Sequence, residues 1–302
     1  MKITVTVLLA ILGLMSQAAS SQEVQNSDVY GLMTELADEI ELIREMMGRP
    51  FDDRGRLPVA AVTDDELYFQ TQILFVAANR LASELAGGDL LYPPPPPREQ
   101  IVPADTLRLV EAAHEDIHKV SEALGIVEPV QRQDRSTPIA ATGVLSLVLD
   151  VNRQIDLLLE REFSSADVHR RLTVAVTQAA GILAGRGLPS PVPDDLGQPR
   201  LPADVYRSLL ETLELVTRVA GQMGIDTLAV GLRRNIPSDV RPSDVYHLAQ
   251  FLVADLSAIA RASGTEPVAV ELGTVPEHIF PVHTYRLAQM LAHQIEVFST
   301  VH

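Results

Sequence analysis

The chain contains no cysteine and no tryptophan, and the first absence already removes several classes of protein. Without thiols there are no disulfides, no Cys-ligated zinc, no covalently attached haem and no lipoprotein anchor, so the fold must stand on core packing. Lysine is nearly missing too, since 22 of the 24 basic residues are arginine. Acidic residues outnumber basic ones 40 to 24, for a net charge of −16. That balance disfavours nucleic acid and anionic lipid surfaces as partners, because both select basic patches. The sequence also lacks a G-x-S-x-G elbow, a glycine-rich phosphate loop and a dinucleotide fingerprint.

Long apolar runs are scarce. The one at Val5 to Met15 follows Lys2 and precedes Ala18-Ala19-Ser20, the layout of a secretory signal with a small-residue cleavage site. It is too short to span a bilayer, and no later segment approaches the ~18 apolar residues of a transmembrane helix. The expected product is exported, periplasmic or secreted, and not integral to the membrane once the signal is cleaved.

One pattern is present many times over. Pro242-Ser243-Asp244-Val245-Tyr246 opens a stretch in which Tyr246, Leu252, Val253, Leu256 and Ile259 fall on one face of an α-helix. With Asp244 as position zero, the same frame begins at Asp28, Glu66, Asp105, Asp167, Asp204 and His283, and in its weakest form near Ala140. Proline just before position zero suits a first helical turn. Gly48, Gly88, Gly125, Gly187, Gly224 and Gly264 stand where helices of about six turns stop. An acid at position zero either caps free N–H groups or meets the positive end of the helix dipole.

A second order lies above the first. Asp28 and Asp167 are 139 residues apart, Glu66 and Asp204 138, Asp105 and Asp244 139, and Ala140 and His283 143. A period carried by starts, stops and linkers together marks a duplication. The expected fold is all-α, two tandem copies of a four-helix unit with long Pro-rich extended linkers. Residues 1–20 form the signal, 21–163 the first unit and 164–302 the second. An extended linker of ~15 residues reaches ~50 Å, against ~36 Å for a helix of ~24 residues. Such linkers can run back along a helix and let neighbours lie parallel. The short join from Phe163 to Ala166 predicts a hairpin that brings the halves together. Residues 268–272 read as a small strand.

The sharpest chemical pattern is His114-Glu115-Asp116-Ile117-His118. In zinc hydrolases H-E-x-x-H sets two imidazoles on one helical face, with the glutamate placed to activate metal-bound water. Here His114, Glu115 and His118 are the candidate ligands of a divalent ion. Against this, His114 falls in an apolar slot of the repeat, which predicts an inward-facing core histidine, and His118 falls in a polar, solvated row. The second candidate is the position two residues after zero, held by Tyr30, Tyr68, Tyr206, Tyr246, Tyr285 and, in the fifth helix, His169. These residues predict a belt at one end of the bundle, which either lines a site for an apolar ligand or closes each first turn onto the core.

Because the repeat encodes core packing, the expected function is non-catalytic binding or scaffolding in the cell envelope, with a protein partner and no cofactor. The alternatives are a bundle that binds a small apolar ligand and a metal-dependent hydrolase centred on residues 114–118.

Overall fold

The computed structural model describes residues 23–51, 59–128, 130, 137–191, 199–230, 239–266 and 278–300. The expected export signal and the strand expected at 268–272 lie outside the described residues. The architecture is all-helical: α1 (Asn26–Met46), α2 (Asp64–Leu85), α3 (Pro103–Leu124), α4 (Ala141–Leu158), α5 (Ser165–Gly185), α6 (Pro202–Gln222), α7 (Pro242–Ala262) and α8 (Pro281–Ser299). The described strand consists of β1 (Val59–Ala60) and β2 (Ala229–Val230), an antiparallel pair that ties the α1–α2 linker to the α6–α7 linker.

Each helix begins and ends for a local reason. Position zero of the repeat is the third helical residue, and its carboxylate accepts the N–H of the N-cap residue, which has no partner inside the helix. Gln25 donates to Asp28 at 2.8 Å, Thr63 to Glu66 at 2.7 Å, Val102 to Asp105 at 3.0 Å and Ser164 to Asp167 at 2.9 Å. Leu201 donates to Asp204 at 3.0 Å and Arg241 to Asp244 at 2.8 Å, while in α8 the acceptor is His283 Nδ1, 3.0 Å from Phe280 N. In α4 the third residue is Gly143, which offers no acceptor. The weakest copy therefore starts three residues later than the sequence pattern suggests, and its spacing to His283 becomes 140. At the other end, Gly125 adopts φ 72°, and Ile126 N closes the turn by donating to Ser121 O at 2.9 Å.

The packing partners form two closed rings, α1–α3–α2–α4 and α5–α7–α6–α8, joined where α2 packs on α7. Within the rings, helices run in the same direction. A small void is lined by Ala179 and Ile182 of α5, Val219 of α6, Leu256 and Ile259 of α7, and Gln294, Ile295 and Phe298 of α8. All of these come from the last two turns of their helices, so α5 to α8 are parallel and in register. In the first ring, Tyr68 lies beside Asp105 near the starts of α2 and α3, and farther along Asn79 Nδ2 donates to Asp116 Oδ2 at 3.0 Å.

Parallel neighbours need a return path, and the α2–α3 linker provides it along α2. Ser83 Oγ donates to Gly88 O at 3.0 Å, Leu91 N to Asn79 Oδ1 at 2.7 Å, and Gln72 Nε2 to Pro94 O at 3.0 Å. From Gly88 to Pro94 an extended chain can advance ~19 Å, and from Ser83 back to Gln72 a helix spans ~16 Å, so the linker is long enough to follow the helix.

The rings themselves point in opposite directions. Along the seam, Asp65 pairs with Arg261, Phe69 O accepts from Gln250 and Gln70 meets His247, so α7 numbers fall as α2 numbers rise.

Candidate functional site

Eleven residues beyond the third helical position the apolar repeat is broken in six of these eight helices, while α2 and α6 keep Ala77 and Leu215 there. Glu39, Asp116, Gln154, Gln178, Asp255 and Gln294 occupy that position in α1, α3, α4, α5, α7 and α8, and all are buried. A buried polar group costs free energy unless it is partnered, and most of these have partners. Glu39 takes His114 and His118, Asp116 takes Asn79 and Lys119, Gln178 donates to Ser257 Oγ at 2.9 Å, and Gln294 donates to Ser190 Oγ at 2.8 Å. Asp255 is different, since both of its oxygens are buried without a hydrogen-bond donor among the described residues.

Asp255 belongs to the seam between the rings, which carries a series of polar pairs. Gln70 Nε2 donates to His247 O at 3.0 Å, while His247 Nδ1 meets Gln70 Oε1 at 2.9 Å. Gln250 Nε2 donates to Phe69 O at 2.5 Å, and Asn152 Nδ2 of α4 donates to Gln70 O at 3.3 Å. Asp156 lies 3.9 Å from His247 Nε2, and burial pushes its carboxyl above the usual range despite that imidazole. At the end nearest the ring-to-ring turn, Phe163 stacks on Tyr246 with centroids 4.5 Å apart, and the Arg80 guanidinium lies 4.7 Å over the Phe163 ring.

Beside this seam opens a cleft of about 1790 Å³. Its floor carries Phe69 and Gln72 of α2, Val253 and Ser257 of α7, and Val174 of α5, and the run Pro93–Pro97 forms one wall. Arg171 and Arg261 reach into it, Arg171 through a 3.2 Å hydrogen bond to Tyr246 Oη and Arg261 through its pair with Asp65.

The H-E-x-x-H residues divide between two surroundings. His114 Nε2 lies 3.2 Å from Glu39 Oε2 and His118 Nδ1 lies 3.1 Å from Glu39 Oε1, so both imidazoles converge on one buried carboxylate of α1. Burial raises that carboxyl, but hydrogen bonds from His114, Ser121 and His118 outweigh it and hold Glu39 below the usual range. Glu115 points elsewhere: its side chain is 73% exposed and lies 3.3 Å from Lys119 Nζ. His114 does not enter the core as the repeat suggests. Ala113, Asp116, Ile117 and Val120 form the inner row of α3, leaving His114 half-buried at its border. Among the described residues, no group of three or more His, Asp or Glu side chains is arranged around a common ion position.

The tyrosine row splits between the two ends of the molecule, because the rings oppose. Tyr206, Tyr246, Tyr285 and His169 share the end where α5 to α8 begin, and Tyr68 sits at the start of α2, whose direction is reversed. Each residue is engaged separately. Tyr68 is buried edge-on to Phe69, and the Arg200 guanidinium lies 4.3 Å over the Tyr285 ring. Tyr30 and Tyr206 pack half-buried against the core, and burial together with nearby His283 lowers the pKa of His169. The void inside the second ring measures about 10 Å³ and lies at the opposite end from Tyr246 and Tyr285, with room for about one water.

Among the described residues, no helix is long and apolar enough to cross a membrane. Compared with protein-family models, with curated proteins and with solved structures, the chain shows no match, and its functional reading rests on this geometry.

Proposed function

We propose that this chain is an exported, non-catalytic binding protein of the cell envelope, made of two tandem copies of a four-helix unit, residues 21–163 and 164–302, behind a signal at 1–20. Its cleft receives an extended segment of a protein partner. The observation that carries this reading is the size and lining of the cleft beside the seam. At about 1790 Å³ it exceeds the ~300–1,000 Å³ typical of small-molecule pockets, and its walls mix apolar side chains with a few fixed polar groups. The Pro-rich linker supports the same reading, because a polyproline wall loses little entropy when a partner lies against it.

The catalytic alternative loses its main support, since the glutamate required to activate metal-bound water faces Lys119 and solvent, away from the His114–His118 pair. The apolar-ligand alternative gains no support from the small void of the second ring, which lies at the opposite end from Tyr246 and Tyr285.

The test is site-specific photo-crosslinking in envelope extracts of the native organism. A photoreactive residue at Val174, in the cleft, should yield a discrete protein adduct that Val253→Arg abolishes. The same residue at Glu111, on an outer helix face, should yield none. Equal labelling from both positions would dismiss the cleft as the binding site.

A further inference from the structure

Glu66 and Asp255 face each other where α2 meets α7, deep in the seam. Glu66 already has two backbone donors: Thr63 N at 2.7 Å on Oε2 and Leu228 N at 2.7 Å on Oε1. Those two N–H groups, together with the Thr63 hydroxyl and the start of α2, suit an ionised carboxylate. Asp255 is 0% exposed, and neither of its oxygens accepts a hydrogen bond among the described residues, the nearby Leu228 N–H being directed to Glu66 Oε1. Two ionised carboxylates in contact and out of water repel strongly, and such pairs hold together by sharing one proton. The partner that Asp255 lacks is therefore supplied by its own acid proton, donated to Glu66.

We propose that Asp255 and Glu66 form a one-proton latch between the two rings, closed while Asp255 is protonated and opened along the α2–α7 seam when that proton is lost. The inference is independent of what the cleft binds.

The surrounding charges agree with this assignment. On α2, Asp65 adds negative potential, and burial beside Asp65 and Glu66 raises the Asp64 carboxyl as well. Asp65 is neutralised by Arg261 of α7, and among the described residues no cation pairs with Asp255. Burial acts most strongly on Asp255, Glu66 and Asp65 add to it, and only the Leu228 backbone N–H opposes them, so its carboxyl titrates well above the usual range. No charged group of α5 or α6, which also pack on α7, is among those acting on it. The sign follows. A raised folded pKa means the folded chain binds this proton more tightly than the unfolded chain. The stabilisation is complete below the ordinary aspartate value and is lost as pH rises towards the folded value. Losing one proton lowers the folding equilibrium constant up to tenfold per pH unit.

The test is denaturant unfolding of the full chain between about pH 5 and 9, comparing wild type with Asp255→Asn, which keeps the shape, donates an N–H to Glu66 and cannot ionise. The wild type should lose stability as pH rises, and Asp255→Asn should remove most of that slope. Asp156→Asn, which removes the other raised carboxyl of the seam, should keep the Asp255 part. Identical slopes in wild type and Asp255→Asn overturn the proposal. Should Asp255→Asn fail to fold, isotope-edited infrared spectroscopy of Asp156→Asn with labelled aspartate carries the test. A protonated-carboxyl band at neutral pH that disappears on raising the pH agrees with the latch, and no such band at neutral pH overturns it.

Discussion

Arg80 of α2 and Asp167 of α5 meet at 2.8 Å across the ring-to-ring turn, 87 residues apart in sequence. Asp167 also caps α5 by accepting from Ser164 N, and Arg80 also covers the Phe163 ring. One carboxylate thus starts a helix and fastens two rings. Burial raises it, but Arg80 and the Ser164 hydrogen bonds more than compensate, so Asp167 lies below the usual range.

Replacing Arg80 with alanine should destabilise the chain by about 1–3 kcal/mol, because it removes the hydrogen-bonded cation of a mostly buried carboxylate and leaves only Arg170 at 3.8 Å. Denaturant unfolding at neutral pH checks the magnitude. Acid titration checks the sign: a depressed folded pKa gives stability present above an unfolded value of about 3.9 and lost as pH falls through the folded one. The acid-side loss should shrink in Arg80→Ala.

Glu39→Ala and Glu115→Ala separate two readings of the histidine pair. Glu115 is exposed and its loss should change stability by less than about 0.5 kcal/mol. Glu39 is the buried acceptor of both imidazoles, and its loss should cost about 1–3 kcal/mol. Equal effects in thermal unfolding would mean that the convergence on Glu39 contributes nothing.

Asn79 holds two elements at once, donating to Asp116 and accepting from Leu91 N. Asn79→Ala should speed amide hydrogen exchange at Leu91 more than tenfold, while α5 to α8, in the other ring, keep their protection.

Gly125→Ala should cost about 1 kcal/mol, since the left-handed cap at φ 72° disfavours any side chain even though the space around it is open. A Gly221→Ala control, at a position inside α6 that is equally open, should be neutral or slightly stabilising.

Helix number, starts and stops were legible because each is written locally, in an acid at the third residue, an apolar stripe and a glycine after the last turn. The start of α4 was not, because Gly143 carries no acceptor to mark it. The partner of each ring was also hidden, since no local rule says which helix meets which. A usable signal did exist in the charge-free stretches Leu67 to Ala78 and Val245 to Ala254. Helices without charge on any face belong in the middle of a protein. The buried polar level was equally readable as Glu39, Asp116, Gln154, Gln178, Asp255 and Gln294, all at one repeat position. A search for chemistry by short motif favoured Glu115 over Glu39 because motifs see neighbours in sequence, whereas Glu39 arrives from another helix.

Parallel packing within a ring has an electrical consequence. Each helix carries about half a positive charge at its start and half a negative charge at its end, so four aligned helices such as α5 to α8 would leave about two charges of each sign at opposite faces. The acids at the third positions temper the positive face. The opposed neighbouring ring cancels the remainder, turning two large dipoles into a quadrupole whose field fades quickly with distance. A ring by itself would expose that field to water and to other copies, so the pairing of two opposed rings is also a form of electrostatic shielding.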